Sequence, residues 1–163
     1  MIWDQNSWVN VNNHRTYQTT MKKIVFALAL SLVTLAGVAQ NALPKSKAPE
    51  GARSYIISPA NGEVVGTTVK VQFGLSGMGV APAGIKLANT GHHHLLLDLD
   101  KTPDFNIPLP ASDKVIHFGK GQTETVLKLK PGKHTLQLIL GDYLHIPHDK
   151  PVISEKITIH VKE

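Results

Sequence analysis

The 163-residue chain contains no cysteine. This excludes disulfides, iron–sulfur clusters, thiolate zinc sites and cysteine nucleophiles. Aromatic residues are few, with four Phe, three Tyr and two Trp, and no stripe of basic and aromatic residues points to nucleic acid. The formal charge of +5 is scattered as single lysines among apolar residues, as on a solvated strand face. No segment repeats its apolar residues at helical spacing. Gly77-Met78-Gly79 is followed by neither a lysine–serine pair nor a helix, so it is not a phosphate loop. Ser76, Ser112 and Ser154 lack the glycine pattern of a nucleophile elbow. Asp98 and Asp100 are adequately explained as a solvated strand face.

One apolar run is present, Ile24 to Val38. It is short for a membrane span, which needs about 20 residues, and no cysteine is available for lipid attachment. Met21-Lys22-Lys23 precedes it, and Gly37 and Ala39 follow at signal-peptidase positions. Residues 21–39 therefore read as a signal peptide, with Gln40 the first mature residue. Residues 1–20, polar and without periodicity, read as a non-native N-terminal extension upstream of the true start at Met21. The expected location is periplasmic or secreted, in a bacterium, with no stable membrane span after cleavage. Residues 40–51 are polar and proline-punctuated, as in a linker.

Residues 52–163 carry short β-like segments separated by Gly, Pro and Asn turns. Val69, Val71, Phe73 and Leu75 alternate with polar or small residues, and Ile157, Ile159 and Val161 alternate with Lys156, Thr158 and His160. Pro131-Gly132 reads as a tight hairpin turn between Thr123–Lys130 and Lys133–Leu140. The pattern predicts an all-β fold: a single immunoglobulin-like antiparallel β-sandwich of about seven short strands. There is no Cys-Trp-Cys pattern of an antibody-type domain.

Five blocks in this region are similar to a known family. They are Phe73–Gly84, Asn89–Leu96, His117–Glu124, Pro131–Leu138 and Gly141–His148. In order and spacing they resemble the bacterial exported domain of unknown function 4399 (DUF4399), over about Ala52 to Lys162. The resemblance implies an exported single domain and supplies no mechanism. One departure is Lys150, which stands where the family usually has a proline.

What the chain does have is histidine, nine of them. His92-His93-His94 opens an apolar strand, His117 ends another, and His145 and His148 lie in a His-Ile-Pro-His loop. His160 points outward on the last strand, and His134 shares a face with three leucines as a boundary histidine would. Histidines presented by strand ends and loops at one end of a sandwich suit a transition metal. The candidate ligands are His92, His93, His94, His117, His145 and His148, with the thioether of Met78 and nearby carboxylates as further donors. Imidazole and thioether donors outside the cytosol point to copper first and zinc second. Alternation along a strand forbids all three rings of the run from reaching one ion. Either His92 and His94 together, or His93 alone, would join His145 and His148, and His117 could complete either set. The expected role is sequestration, delivery or sensing of the metal rather than turnover. A metal-assisted hydrolase would need an open coordination position and a base such as Glu124 or Asp142. The alternative is a non-metal interaction module of the cell envelope, binding a partner protein or glycan with loops that the histidines only brace.

Overall fold

The computed structural model describes residues 43–163. The signal-peptide and extension readings fall on residues 1–39, outside the described residues. Among the described residues nine strands run in chain order: β1 (Arg53–Ser58), β2 (Val64–Val65), β3 (Thr68–Ser76), β4 (Gly79–Val80), β5 (Thr90–Leu97), β6 (Val115–His117), β7 (Glu124–Lys128), β8 (Gly132–Gly141) and β9 (Ile157–Val161). Among the described residues no helix is long and apolar enough to cross a membrane.

The strands form a sandwich. One sheet has the order β1-β3-β7, and the other β2-β9-β8-β5-β4, with β6 also bordering β5. The long strands pair antiparallel, while the two-residue strands β2 and β4 pair parallel with β9 and β5. Val69, Val71 and Phe73 alternate inward on β3 and meet Leu95, Leu136, Leu138, Ile159 and Val161 from the larger sheet. Burying these side chains is the main force holding the two sheets together.

Pro131-Gly132 is not a hairpin turn. β7 pairs with β3, whereas β8 pairs with β5 and β9, so the chain crosses from one sheet to the other at this point. The Pro-Gly pair marks a sharp change of direction, and both signals look alike in sequence.

Strand β5 is buried on both faces, as is the adjoining half of β8, Leu138–Gly141. One face, with His93 and Leu95, meets the inter-sheet core. On the other, His92 and His94 lie against the rings of His117 and His145, and Leu96 is covered by the Asp98–Lys114 loop. Leu99, Phe105 and Leu109 there pack with Leu96, Val115, Ile139 and Ile153 in a second, smaller core. Residues 43–49 lie without regular structure yet are tied down. The Asp149 amide donates to Ser46 O at 3.0 Å, and the Ala48 amide donates to Asp149 Oδ1 at 2.9 Å.

At the far end of β5 the chain leaves the sheet at Asp98, which takes a left-handed φ of 48°. Its carboxylate accepts the Thr135 amide at 2.8 Å and contacts His134 Nδ1 at 2.7 Å. His134 Nε2 lies 2.9 Å from the Lys130 carbonyl. Both ring nitrogens thus face acceptors, and only the doubly protonated imidazolium can donate to both. Burial by itself lowers the His134 pKa, but the Asp98 and Lys130 bonds outweigh it and hold it above the usual value. A raised histidine pKa adds stability that is fully present below the unfolded value and is lost as pH rises through the folded one. His134→Gln is therefore expected to lower the melting temperature most near pH 6, with the difference from wild type shrinking toward pH 9. A difference that stays constant across that range would show that the ring acts only through packing.

Candidate metal centre

Register builds the site. His94 pairs with His117 across β5 and β6, which puts both side chains on the same face of the sheet. His92 lies two residues back on that face, opposite Gly141 of β8. The fourth ring comes from the turn that follows β8. There the His145 amide donates to Asp142 O and the Asp142 amide donates to Ile146 O, each at 2.9 Å. The Asp142 carboxylate fixes the loop from within: Oδ1 accepts the Leu144 and Ile146 amides at 2.8 and 3.1 Å. Its Oδ2 accepts the Ser46 hydroxyl at 2.7 Å. His145 itself sits at φ 66°, the left-handed position that three-residue hairpin loops usually give to glycine. A β-carbon there costs roughly 1–2 kcal/mol, and the turn holds the ring over the sheet nonetheless.

Two glycines make room. A β-carbon on Gly141 would lie 2.8 Å from His94 Cε1 and 3.2 Å from His145 Cα. One on Gly119 would overlap the His117 ring.

The result is four imidazoles, from His92, His94, His117 and His145, each with one ring nitrogen within 4.8 Å of those of the others. His92 Nε2 and His145 Nδ1 face each other at 3.1 Å. The His94 and His117 rings stack with centroids 5.0 Å apart and planes at 30°. His92 and His94 are buried, His145 is half-buried and His117 is exposed. Among the described residues, Nδ1 of His92 and both ring nitrogens of His94 have no hydrogen-bond partner. A buried polar atom left in that state costs about 1–3 kcal/mol. Burial, reinforced by the neighbouring imidazoles, pushes His92 down to about 4 and His94 to about 3. His117 is lowered for the same two reasons. These rings are neutral at pH 7, with a lone pair available on each, as metal coordination requires. This histidine cluster could hold a metal ion.

Three other candidate ligands lie elsewhere. His93 points the opposite way from its two neighbours, into the inter-sheet core, with its ring 5.3 Å from that of Phe73. Both of its nitrogens are unpartnered, and burial pushes its pKa down to about 4. His148 is buried, and its Nε2 lies 3.3 Å from the Thr90 carbonyl, to which it donates. It braces the start of β5. Met78 is half-buried between β3 and β4. Of the carboxylates, Asp142 shapes the His145 turn, Glu124 pairs with Lys70 on the other sheet, and Asp98 holds His134. Sequence reasoning singled out neither Ser46 nor the glycines at 119 and 141 as parts of the site. A Gly-Asp pair directly before a histidine is the local signal that a tight turn carries that ring.

The family model described as "Domain of unknown function (DUF4399)" matches residues 71–162. No curated protein matches the chain. Among solved structures, the endo-β-1,4-mannanase from Thermotoga petrophila is similar with a TM-score of 0.40 and 19% identity, over 69% of this chain and 20% of that one. The chain thus spans a fifth of the mannanase. The fibronectin(III)-like modules of Clostridium thermocellum CbhA are similar with a TM-score of 0.34 and 14% identity, over 66% and 92% of the two chains. Both likenesses are too loose to carry a function across.

Four histidines with lowered pKa values determine how the metal-free protein responds to acid. Below about pH 6.5 the unfolded chain binds protons that His92, His93, His94 and His117 refuse in the fold. Stability therefore falls as pH drops from 6.5 toward 4. His93→Leu removes one of these groups together with its unpartnered nitrogens. It should raise the melting temperature of the metal-free protein, by more at pH 5 than at pH 7.5. A loss of stability at both pH values would mean that the ring is held by a partner. Asp142→Ala strands two amides and the Ser46 hydroxyl, and denaturant unfolding should show a loss of roughly 2–4 kcal/mol.

Proposed function

The chain belongs to the DUF4399 family, and from that premise we propose that it is an exported metal-binding protein. In this reading His92, His94, His117 and His145 hold one divalent first-row transition ion. The observation that carries it is the convergence of four ring nitrogens, one pair already 3.1 Å apart. Four nitrogens at metal–nitrogen distances of about 2.0–2.1 Å stand about 3.3–3.4 Å from one another in a tetrahedron. Small shifts of the exposed and half-buried rings would bring all four to that spacing. An ion would also engage one nitrogen of His94 that otherwise has no partner.

The donor set bears on the choice of metal. Imidazole suits copper, zinc and nickel, and divalent affinities peak at copper. Copper(II) is the proposed ion, with zinc next. Four side-chain donors resemble a closed holding site more than a catalytic one, which keeps a position for water or substrate. Sequestration or delivery therefore fits better than turnover. The signal-like segment 21–39 supports a role outside the cytoplasm, and an exported product beginning at Gln40 would test it. The loop-brace reading describes His148, which bonds a backbone carbonyl, and does not describe the four converging rings.

Metal analysis and thermal melting test the proposal together. Wild type should take up one equivalent of Cu(II) or Zn(II), with a melting temperature that rises with free metal. His94→Ala should lose both effects. His93→Leu and His148→Ala should keep the stoichiometry, because their rings lie outside the group. Absence of uptake by wild type would refute the proposal, as would equal losses in all three variants.

A further inference from the structure

The four ligands are anchored unequally, and the difference has a chemical consequence. We propose that metal enters and leaves the centre at His117, which exchanges with a neutral nitrogen or thioether donor of another molecule while His92, His94 and His145 stay in place. This rests on the metal-binding reading above.

His92 and His94 stand in the middle of the larger sheet, on a strand flanked by β8 on one side and by β4 and β6 on the other. Both are fully buried, so neither ring has space to swing away from the centre. His145 is held by its turn. Its amide and carbonyl are bonded to Asp142 O and the Leu109 amide, each at 2.9 Å, and its ring nitrogen meets that of His92.

His117 has none of this. It is the last residue of a three-residue strand that borders β5 alone. Its side chain is exposed, and among the described residues its ring makes no hydrogen bond. What touches it are the faces and edges of the other imidazoles and the bare backbone of Gly119. Rotation of one side chain would carry this ring into solvent without breaking a hydrogen bond or opening the core. None of the other three ligands can do so.

The exchange balances simply. The bond from the metal to the His117 nitrogen breaks, and the neutral imidazole leaves with its lone pair. A bond to the incoming neutral donor forms, so coordination number, charge and oxidation state are unchanged. Such a step depends on the concentration of the incoming donor. It also suits hand-over between proteins better than permanent storage, since the three remaining imidazoles keep the ion bound until the new bond is made.

The test uses the full chain loaded with one equivalent of Cu(II), with transfer to EDTA followed by the visible absorption of the protein-bound ion. Loading is the first readout, and failure of wild type to load refutes the metal-binding reading itself. For loaded wild type, the transfer rate should rise with EDTA concentration. His117→Ala and His117→Gln should bind Cu(II) more weakly and, once loaded, transfer it at least roughly tenfold faster, equivalent to about 1.4 kcal/mol. Added imidazole should restore the wild-type spectrum and slow the transfer in His117→Ala, because the vacated position opens to solvent. The same imidazole should do nothing for His94→Ala, whose vacated position is enclosed. A rate indifferent to both EDTA concentration and His117 would overturn the exchange path while leaving the centre intact. So would imidazole rescue of His94→Ala but not of His117→Ala.

Discussion

Strand β5 buries both of its faces, and the rest of the site end follows from that. A pleated strand must send alternate side chains opposite ways. The triple-histidine run is therefore divided between two environments, with His93 in the inter-sheet core and His92 and His94 under the loops of the outer face. Neither environment offers enough hydrogen-bond partners. Such a strand would be more stable with leucines throughout, as its continuation Leu95-Leu96-Leu97 shows. The outer pair has company that accounts for the expense, because Gly119, Gly141 and the Asp142 turn all act to bring two further imidazoles against it. A group of neutral rings with free lone pairs is poor packing and a good ligand set. His93 has no such company, and nothing in the structure explains why the inter-sheet core carries an imidazole there.

The two ends of the β5–β8 pair treat histidine in opposite ways. At one end burial dominates and the rings stay neutral. At the other, a carboxylate and a carbonyl take both protons of His134, and the ring is held charged. The residue type is the same, and the difference lies in whether oxygen acceptors face the ring. Acid therefore weakens the neutral end, and base weakens the charged one. Neutral pH, between these two losses, is where the metal-free fold is expected to be most secure.

Much of this was legible in the sequence because it is local. Alternation identified β3, β5 and β9 and separated His93 from its neighbours. The clustering of histidines at strand ends picked out the four rings that converge, together with His93 and His148, which do not join them. What could not be read was the partner of each strand. His94 meets His117 through a register between strands that are linked by a long loop, and no local pattern encodes that pairing. Pro131-Gly132 misled for the same reason, since a crossing between sheets and a hairpin share their turn chemistry. His145 was ranked beside His148 by proximity, yet a left-handed φ at one and a carbonyl contact at the other give them different jobs. Residues 43–49 have the composition of a linker, but the acceptors that fix them, Asp142 and Asp149, come from the far end of the chain.

Those far-end contacts bear on how the centre is supported. Asp142 bonds the turn that presents His145 through one oxygen and the Ser46 hydroxyl through the other. That carboxylate is committed to the turn and to Ser46, and the four converging nitrogens are all imidazole. That set has no negative charge of its own, so a bound divalent ion would keep its full charge in a half-buried place. Favourable binding then depends on the number of nitrogens and on an opening to water. The exposure of His117 supplies that opening, and in the proposed exchange the same feature would give a bound ion its way out.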